Sequence, residues 1–437
     1  MTIDPSIPTR ARYVTVMFAI VLAIVMYIDR VCISQAALSM RNDLGLTQVQ
    51  MAWAFSVFGW AYALFEVPGG WLGDRIGPRR VLMRIVLWWS FFTAATGWVC
   101  NLTSLLVTRT LFGMGEAGCF PNLTRAFATW LPKTERERAQ ASLWFASRWA
   151  GALTPLLVAW VLTFVSWRRA FEIFGVLGVV WAIAFYRWYR DDPAAHPSVN
   201  KAELALLPPR SETAAVKDGT PWAVILSSPS VWLLCLQYAC LAYGWWFYVT
   251  WLPTYLRDVR GLSLMKGAIY AGLPLFLGGI GCFVSAGLSP WLRRWTGSTV
   301  LSRRLLAITG FVGASISIIV FTRTQDPLGA VLLLGLAGFF NDFVMPPAWA
   351  GSMDIGGRHA GTVSGAMNMA GGIAGACSAL VVGYILAWTN QDWKLTFYVS
   401  SAIYMIGAIC WLFLDASTPI ETTPVTSGAA TLARAAK

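Results

Sequence analysis

The chain has 437 residues, 57% hydrophobic and only 12% charged, with 24 tryptophans and a formal net charge of +12. A soluble domain runs near a quarter charged, so this composition excludes an ordinary globular enzyme and marks a polytopic membrane protein. Apolar runs of about 20 residues, rather than alternation at every second position, make it an all-α membrane protein and exclude a barrel.

Twelve spans are predicted. Spans 1–6 lie near 13–35, 48–72, 81–100, 103–127, 138–162 and 170–188, and spans 7–12 near 230–256, 266–290, 304–322, 328–349, 360–388 and 395–414. Four units follow: an N-terminal six-helix bundle (1–188), a polar cytoplasmic linker (189–229), a C-terminal six-helix bundle (230–414) and a disordered cytoplasmic tail (415–437). No basic region, short apolar region and cleavage site precede span 1, which is expected to be retained. Of the 33 Lys and Arg, 22 fall in or beside the loops on the N-terminal side and 8 on the other, with Arg30, Arg109 and Arg148 inside spans. By the positive-inside rule both termini are cytoplasmic. The basic excess is thus a topology signal, not a nucleic-acid footprint.

In chain order, the first intramembrane charges are Asp29 and Arg30, after Tyr27 near the end of span 1. Span 2 carries Glu66 beside Pro68. The loop to span 3 reads GWLGDRIGPRR from Gly70 to Arg80: Gly73 and Gly77 permit a tight turn, and Asp74 can pair with an arginine or cap a helix. Span 4 holds Arg109 and Glu116 seven residues apart, on one helix face and about 10 Å apart in depth, with Gly113, Gly115, Ala117 and Gly118 allowing close helix approach. A charge at membrane depth costs about 2.5–3.5 kcal/mol or more. The pair either holds two helices together or lines a path for a charged solute. Arg148 in span 5 and Asp342 in span 10 add two more such charges. Arg148 can neutralise Glu66 or Asp342, or face the solute; Asp342 can alternatively cap a helix break at Pro346 and Pro347. Trp246, Trp251 and Trp349 fit either a site or an interfacial belt.

Depth arithmetic brings these groups together. Asp29 lies about 24 Å up an ascending span 1, and Arg109 about 9 Å below the outer face in a descending span 4. Arg148 and Asn368 each come out about 15 Å deep. The eight cysteines lie in or beside spans with no C-x-x-C pair, and His196 and His359, the only histidines, fall in loops. No metal site, no cofactor and no enzymatic nucleophile is expected.

The loop from Gly70 to Arg80 resembles the signature loop of the major facilitator superfamily; the equivalent loop from Gly287 to Gly297 keeps Arg293 and Arg294 but lacks the Asp. That resemblance implies twelve helices in two six-helix bundles around a cavity open alternately to either side. It also implies a conformational role for Gly73, Asp74, Arg75, Gly77, Arg79 and Arg80. Within the superfamily, four segments are similar to the anion:cation symporter branch: Tyr27 to Arg30, Arg109 through Glu116 to Pro121, Tyr243-x-x-Trp246 with Trp251 to Tyr255, and Gly361-x-x-x-Gly365-x-x-Asn368. The branch implies substrate contacts for Tyr27, Arg30 and Arg109, and proton coupling for Asp29 and Glu116. To these the reading adds Arg148, Tyr243, Trp246, Trp349 and Asn368 as substrate-binding and Asp342 as proton-coupling. Arg148 and Glu66 depart from the branch, which commonly carries neutral polar residues there. The expectation is a proton-coupled symporter of a small organic anion, a hexonate, hexuronate or hexarate, working as a monomer in the bilayer of the inner cell membrane. The alternatives are a drug/proton antiporter and a non-transporting sensor of the same fold; span 5 lacks the G-x-x-x-G-P-x-x-G pattern of the first, and no long signalling domain supports the second.

Overall fold

The computed structural model describes residues 7–209, 220–252, 255–256, 259–261 and 264–420. Span 1 is Ala11–Leu44, whose 34 residues rise about 51 Å, more than the ~30 Å of a bilayer core. It stops at Gly45, which turns left-handed at φ 64°. Span 2, Gln48–Ile76, opens with a Thr47–Gln50 capping box, and span 3, Pro78–Thr96, starts on proline straight after Gly77 at φ 88°. Span 4 comes as two helices, Leu102–Glu116 and Cys119–Trp130. The break falls at Ala117–Gly118, where Gly118 has φ 79° and span 2 comes so close that a Cβ there would lie 2.6 Å from the Gly69 Cα. Spans 5 and 6 are Arg136–Leu162 and Trp167–Trp188.

The second half repeats the plan. Spans 7, 8 and 9 are Pro229–Thr250, Leu264–Thr296 and Thr299–Arg323. Span 10 again comes as two helices, Pro327–Phe343 and Met345–Gly356, and spans 11 and 12 are Ala360–Trp388 and Trp393–Phe413. The break at Val344 precedes Pro346 and Pro347, which cannot donate to the helix before them. Every principal packing within the first half recurs in the second shifted by six: 1 with 5 and 6, 2 with 4, and 3 with 4 and 6 become 7 with 11 and 12, 8 with 10, and 9 with 10 and 12. The halves join along two seams, spans 2 and 11 and spans 5 and 8, which are themselves equivalent under the repeat. Among the described residues, seven stretches are long and apolar enough to cross a membrane by length and composition alone, one of them running from Leu328 through Trp388.

Two segments between and after the bundles are more ordered than their polar composition implies. In the linker, Glu203 is buried and accepts the Ala11 and Arg12 N–H groups (2.9 and 3.1 Å) and the Arg12 guanidinium (3.1 Å). It thereby caps span 1 from 192 residues away. Burial pushes this carboxyl up, and the bonds from Thr9, Arg12 and Ala11 outweigh it and hold it below the usual carboxylate range. The tail departs from the expectation of disorder over its first residues: Asp415 accepts from Ser417 and Thr418, Arg303 donates to the Ala416 carbonyl, and the Ile420 N–H donates to Ile355. Residues 210–219 and 421–437 lie outside the described residues.

Candidate substrate site

The central layer is assembled from spans 1, 2, 4, 5, 10 and 11. Glu116 is the last residue of the first helix of span 4, so the break behind it leaves its carboxylate at a helix C-terminus. It is taken by Arg30 of span 1, with Nε to Oε1 at 2.6 Å. Arg30 also lies over the Tyr62 ring at 4.4 Å and the Phe58 ring at 5.5 Å. Arg109, buried on the same face of span 4 as Glu116, is clasped by the Phe112 and Phe58 rings at 4.4 and 5.1 Å, and its Nε has no hydrogen-bond partner. Asp29 is buried too, and neither of its oxygens accepts a hydrogen bond. The spacing argument thus brings Arg109 and Glu116 to one region, while tertiary packing gives Glu116 to Arg30 instead. Tyr27 packs against Gly151 of span 5, where an added Cβ would lie 3.0 Å from its ring.

Across the seam, Arg148 is bidentate with Asp342, at 2.6 Å (Nε to Oδ2) and 3.0 Å (Nη2 to Oδ1). Its charge lies over Trp245 at 4.7 Å and Trp144 at 5.6 Å. Of the open assignments for Asp342, the ion pair is the one adopted; the carboxylate caps no helix. Glu66 takes a different partner, accepting from Asn368 Nδ2 at 2.8 Å, and the same amide donates to Tyr62 Oη at 3.3 Å. Trp349 is fully buried, donates to Tyr238 Oη (3.3 Å) and forms a cluster with Phe120 and Trp144. Tyr243 is buried with its hydroxyl unpartnered, its carbonyl accepting from Ser378. Trp246 fills the space left by Gly375, where a Cβ would lie 2.0 Å from its ring. Asn368 and Glu66 therefore meet across the seam between spans 2 and 11, Trp349 sits among Tyr238, Phe120 and Trp144, and Tyr243 and Trp246 stand on span 7.

The residues that sequence reasoning passed over are the aromatic partners Phe58, Tyr62, Trp144, Tyr238 and Trp245. Tyr62 stands one helical turn before Glu66, on the same face of span 2, and that spacing is the one signal that could have found it. Among the described residues, no group of three or more His, Cys, Asp or Glu could hold a metal ion.

The segment Gly70–Arg80, expected as a loop, is helical except at Gly77, because span 2 runs to Ile76 and span 3 starts at Pro78; it ties spans 2 and 11 together at one end of the molecule. Asp74 accepts the Gly361 N–H (2.9 Å), the Thr362 N–H (2.6 Å) and the Thr362 hydroxyl (2.7 Å), so it caps span 11 of the opposite half. Arg125 approaches the same carboxylate at 3.4 Å. Gly73 leaves room for Asn122, whose Oδ1 would be 2.0 Å from an added Cβ, and Gly70 leaves room for the Gly361 carbonyl, 2.1 Å away. Arg79 donates to the Tyr186 carbonyl and its own N–H reaches Asp191, while Arg75 lies over Trp71 and Arg80 is exposed. A second, unforeseen network lies at this end: Arg303 of span 9 bonds Glu137 and Asp354 at 2.8 Å each, Asp354 also holds Arg136, and Ser289 donates to Glu137.

Comparison with known proteins agrees with this architecture. The family model described as Major Facilitator Superfamily matches residues 19–379 and 302–436. A protein of Cupriavidus necator named as a probable sulfoacetate transporter is 35% identical over 404 residues, covering 92% of this chain and 93% of its own. A D-galactonate transporter of Escherichia coli is 29% identical over 421 residues, 93% and 96% of the two chains. The solved proton:xylose symporter bound to 6-bromo-6-deoxy-D-glucose superposes with a TM-score of 0.75 at 12% identity, over 94% of this chain and 98% of that one. With its two halves of equivalent packing and its charged central layer, this chain belongs to the Major Facilitator Superfamily and is a membrane transporter rather than an enzyme.

Proposed function

We propose that this protein is a proton-coupled symporter of a small organic anion, with sugar acids as the first class and short sulfonate-carboxylates, such as the substrate named for one relative, as the second. The observation that carries the reading is the pairing pattern in the first half: Arg109 has an open Nε, and Arg30 is held by a carboxylate that can be replaced. An arriving carboxylate binds Arg109 in two-pronged geometry and competes with Glu116 for Arg30. Three arginines in the layer (Arg30, Arg109, Arg148) face four buried carboxylates (Asp29, Glu66, Glu116, Asp342). With all ionised, the layer already carries excess negative charge, so an anion enters at low cost only if an acid is neutralised. A displaced Glu116, or the unpartnered Asp29, would leave a buried charge costing several kcal/mol, and a proton removes that cost. Substrate and proton thus favour each other's binding, which is the linkage that symport requires.

With both termini in the cytoplasm, the closed loop 2–3 end faces inward and the layer is reached from outside; rocking of the two bundles along the two seams exposes it to the other side. The protein acts as a monomer in the inner cell membrane. The test is uptake into proteoliposomes of labelled D-galactonate, D-gluconate, D-glucarate and sulfoacetate, with and without an inward proton gradient. Accumulation driven by the gradient is expected for at least one, and Arg109→Lys should lose at least tenfold in affinity while remaining folded. Gradient-independent equilibration of every compound would reject coupling, and loss driven by the same gradient would favour the antiporter.

A further inference from the structure

The two acids beside the helix breaks occupy matching places. Glu116 ends the first helix of span 4, Asp342 stands next to last in the first helix of span 10, and spans 4 and 10 are equivalent under the six-helix repeat. Each acid is held through the Nε of a buried or half-buried arginine from another span, at 2.6 Å. Arg148, unlike Arg30, donates both prongs to its acid, as it would to the carboxylate of a bound ligand. The place where Asp342 sits is shaped for a carboxylate: Gly278 of span 8 leaves the room, since a Cβ there would lie 2.5 Å from Oδ2, and Asn341 Nδ2 donates to Oδ1 at 2.9 Å. Asn341 is itself fixed by the Tyr404 hydroxyl at 2.7 Å. Tyr27 of span 1 lies within electrostatic reach of both Arg30 and Arg148.

Resting on the organic-anion reading above, we infer that Arg148 is a second anion seat kept occupied by Asp342. A monoanion uses Arg109 and Arg30 and leaves this pair intact. A dianion places its second acid group on Arg148, and Asp342, deprived of its counter-charge, leaves as the neutral acid. Dianions are therefore carried with one more proton than monoanions, and Asp342 sets the charge the transporter prefers. The titratable groups within electrostatic reach of the pair are Cys282 of span 8, whose thiol donates to the Asp342 carbonyl at 3.3 Å, Tyr238 and Tyr248 of span 7, Tyr404 of span 12 and Tyr27 of span 1. None of them is an acid that could stand in for Asp342 near neutral pH.

The experiment measures binding of D-gluconate and D-glucarate, equal in carbon number and different in charge, to the purified full chain between pH 5.5 and 8. Wild type, Asp342→Asn and the double variant Arg148→Gln/Asp342→Asn are compared. In wild type, glucarate affinity should fall about tenfold more per pH unit than gluconate affinity as pH rises, the mark of one extra proton. Asp342→Asn should remove that extra slope and raise the glucarate-to-gluconate affinity ratio at least tenfold at pH 7.5. Glucarate, not gluconate, should also restore the melting temperature of this variant, because the ligand refills the empty seat; a merely structural ion pair would not show this. The double variant keeps the question open to measurement if Asp342→Asn does not fold: its glucarate-to-gluconate affinity ratio should fall at least tenfold below that of wild type at pH 5.5, with no extra slope. An unchanged glucarate-to-gluconate ratio in both variants, or equal pH slopes in wild type, overturns the inference while gluconate binding stands. Absence of binding of any test anion to wild type would instead overturn the organic-anion reading.

Discussion

Asp74→Asn is the most informative single change at the closed end. The carboxylate receives three hydrogen bonds from Gly361 and Thr362 and the charge of Arg125, all across the seam or at its edge. An asparagine of the same size can keep its oxygen at the Oδ2 position and both Thr362 bonds, but it turns an N–H₂ toward the Gly361 N–H, so one charge-assisted bond is lost, ~1.5–3 kcal/mol, and the other two lose their charge assistance. Arg125, 2% exposed, then loses the negative charge beside it, although its contact with the Gly357 carbonyl remains. Rotation of the halves separates Asp74 from span 11, so the loss falls on the closed end alone. A net shift of about 3 kcal/mol is expected, roughly a hundredfold, which turns a 99:1 population into a near-even mixture. Spin labels on the exposed Arg80 of the first half and Arg294 of the second, in a cysteine-free background, would report it as a second, longer distance population by double electron–electron resonance. Identical distributions for wild type and Asp74→Asn would refute the reasoning.

Glu116→Gln mimics the protonated acid; substrate exchange between equal pools should persist, while accumulation against a gradient should vanish, and retained accumulation would move the coupling to Asp29 or beyond. Gly70→Ala would put a Cβ 2.1 Å from the Gly361 carbonyl and must spread spans 2 and 11, at a cost of about 1–3 kcal/mol, checked by thermal unfolding and the same pair of spin labels. Glu203→Gln should weaken the cap on span 1 by about 1 kcal/mol. Because the folded Glu203 carboxyl lies below its ordinary 4.5, its contribution is full above that pH and is lost as pH falls through the folded value, so wild type and variant should differ in melting temperature at pH 7 and converge in acid.

Much of this molecule was legible without coordinates, because membrane insertion imposes simple rules on a chain. Twenty-residue apolar runs must be helices, since lipid satisfies no backbone hydrogen bond, and span 11 was placed at both ends as observed. Charges stand out against such a background, which is why Asp29, Arg30, Arg109, Glu116, Arg148 and Asp342 could be named from sequence. A one-dimensional pattern gives depth along an axis and the face of one helix. It carries no information about which other helix lies opposite. Only tertiary packing could give Glu116 to Arg30 rather than Arg109, Glu66 to Asn368 rather than Arg148, and Glu203 to the start of span 1. The same holds for the break in span 4: hydropathy runs unbroken through Gly118, and the interruption becomes visible only where the Gly69 backbone needs the space, whereas Pro346 and Pro347 mark the break in span 10 in the sequence itself. Composition decided that these charges lie in a membrane, and the repeat-to-repeat packing of the two halves decided which of them neutralise one another.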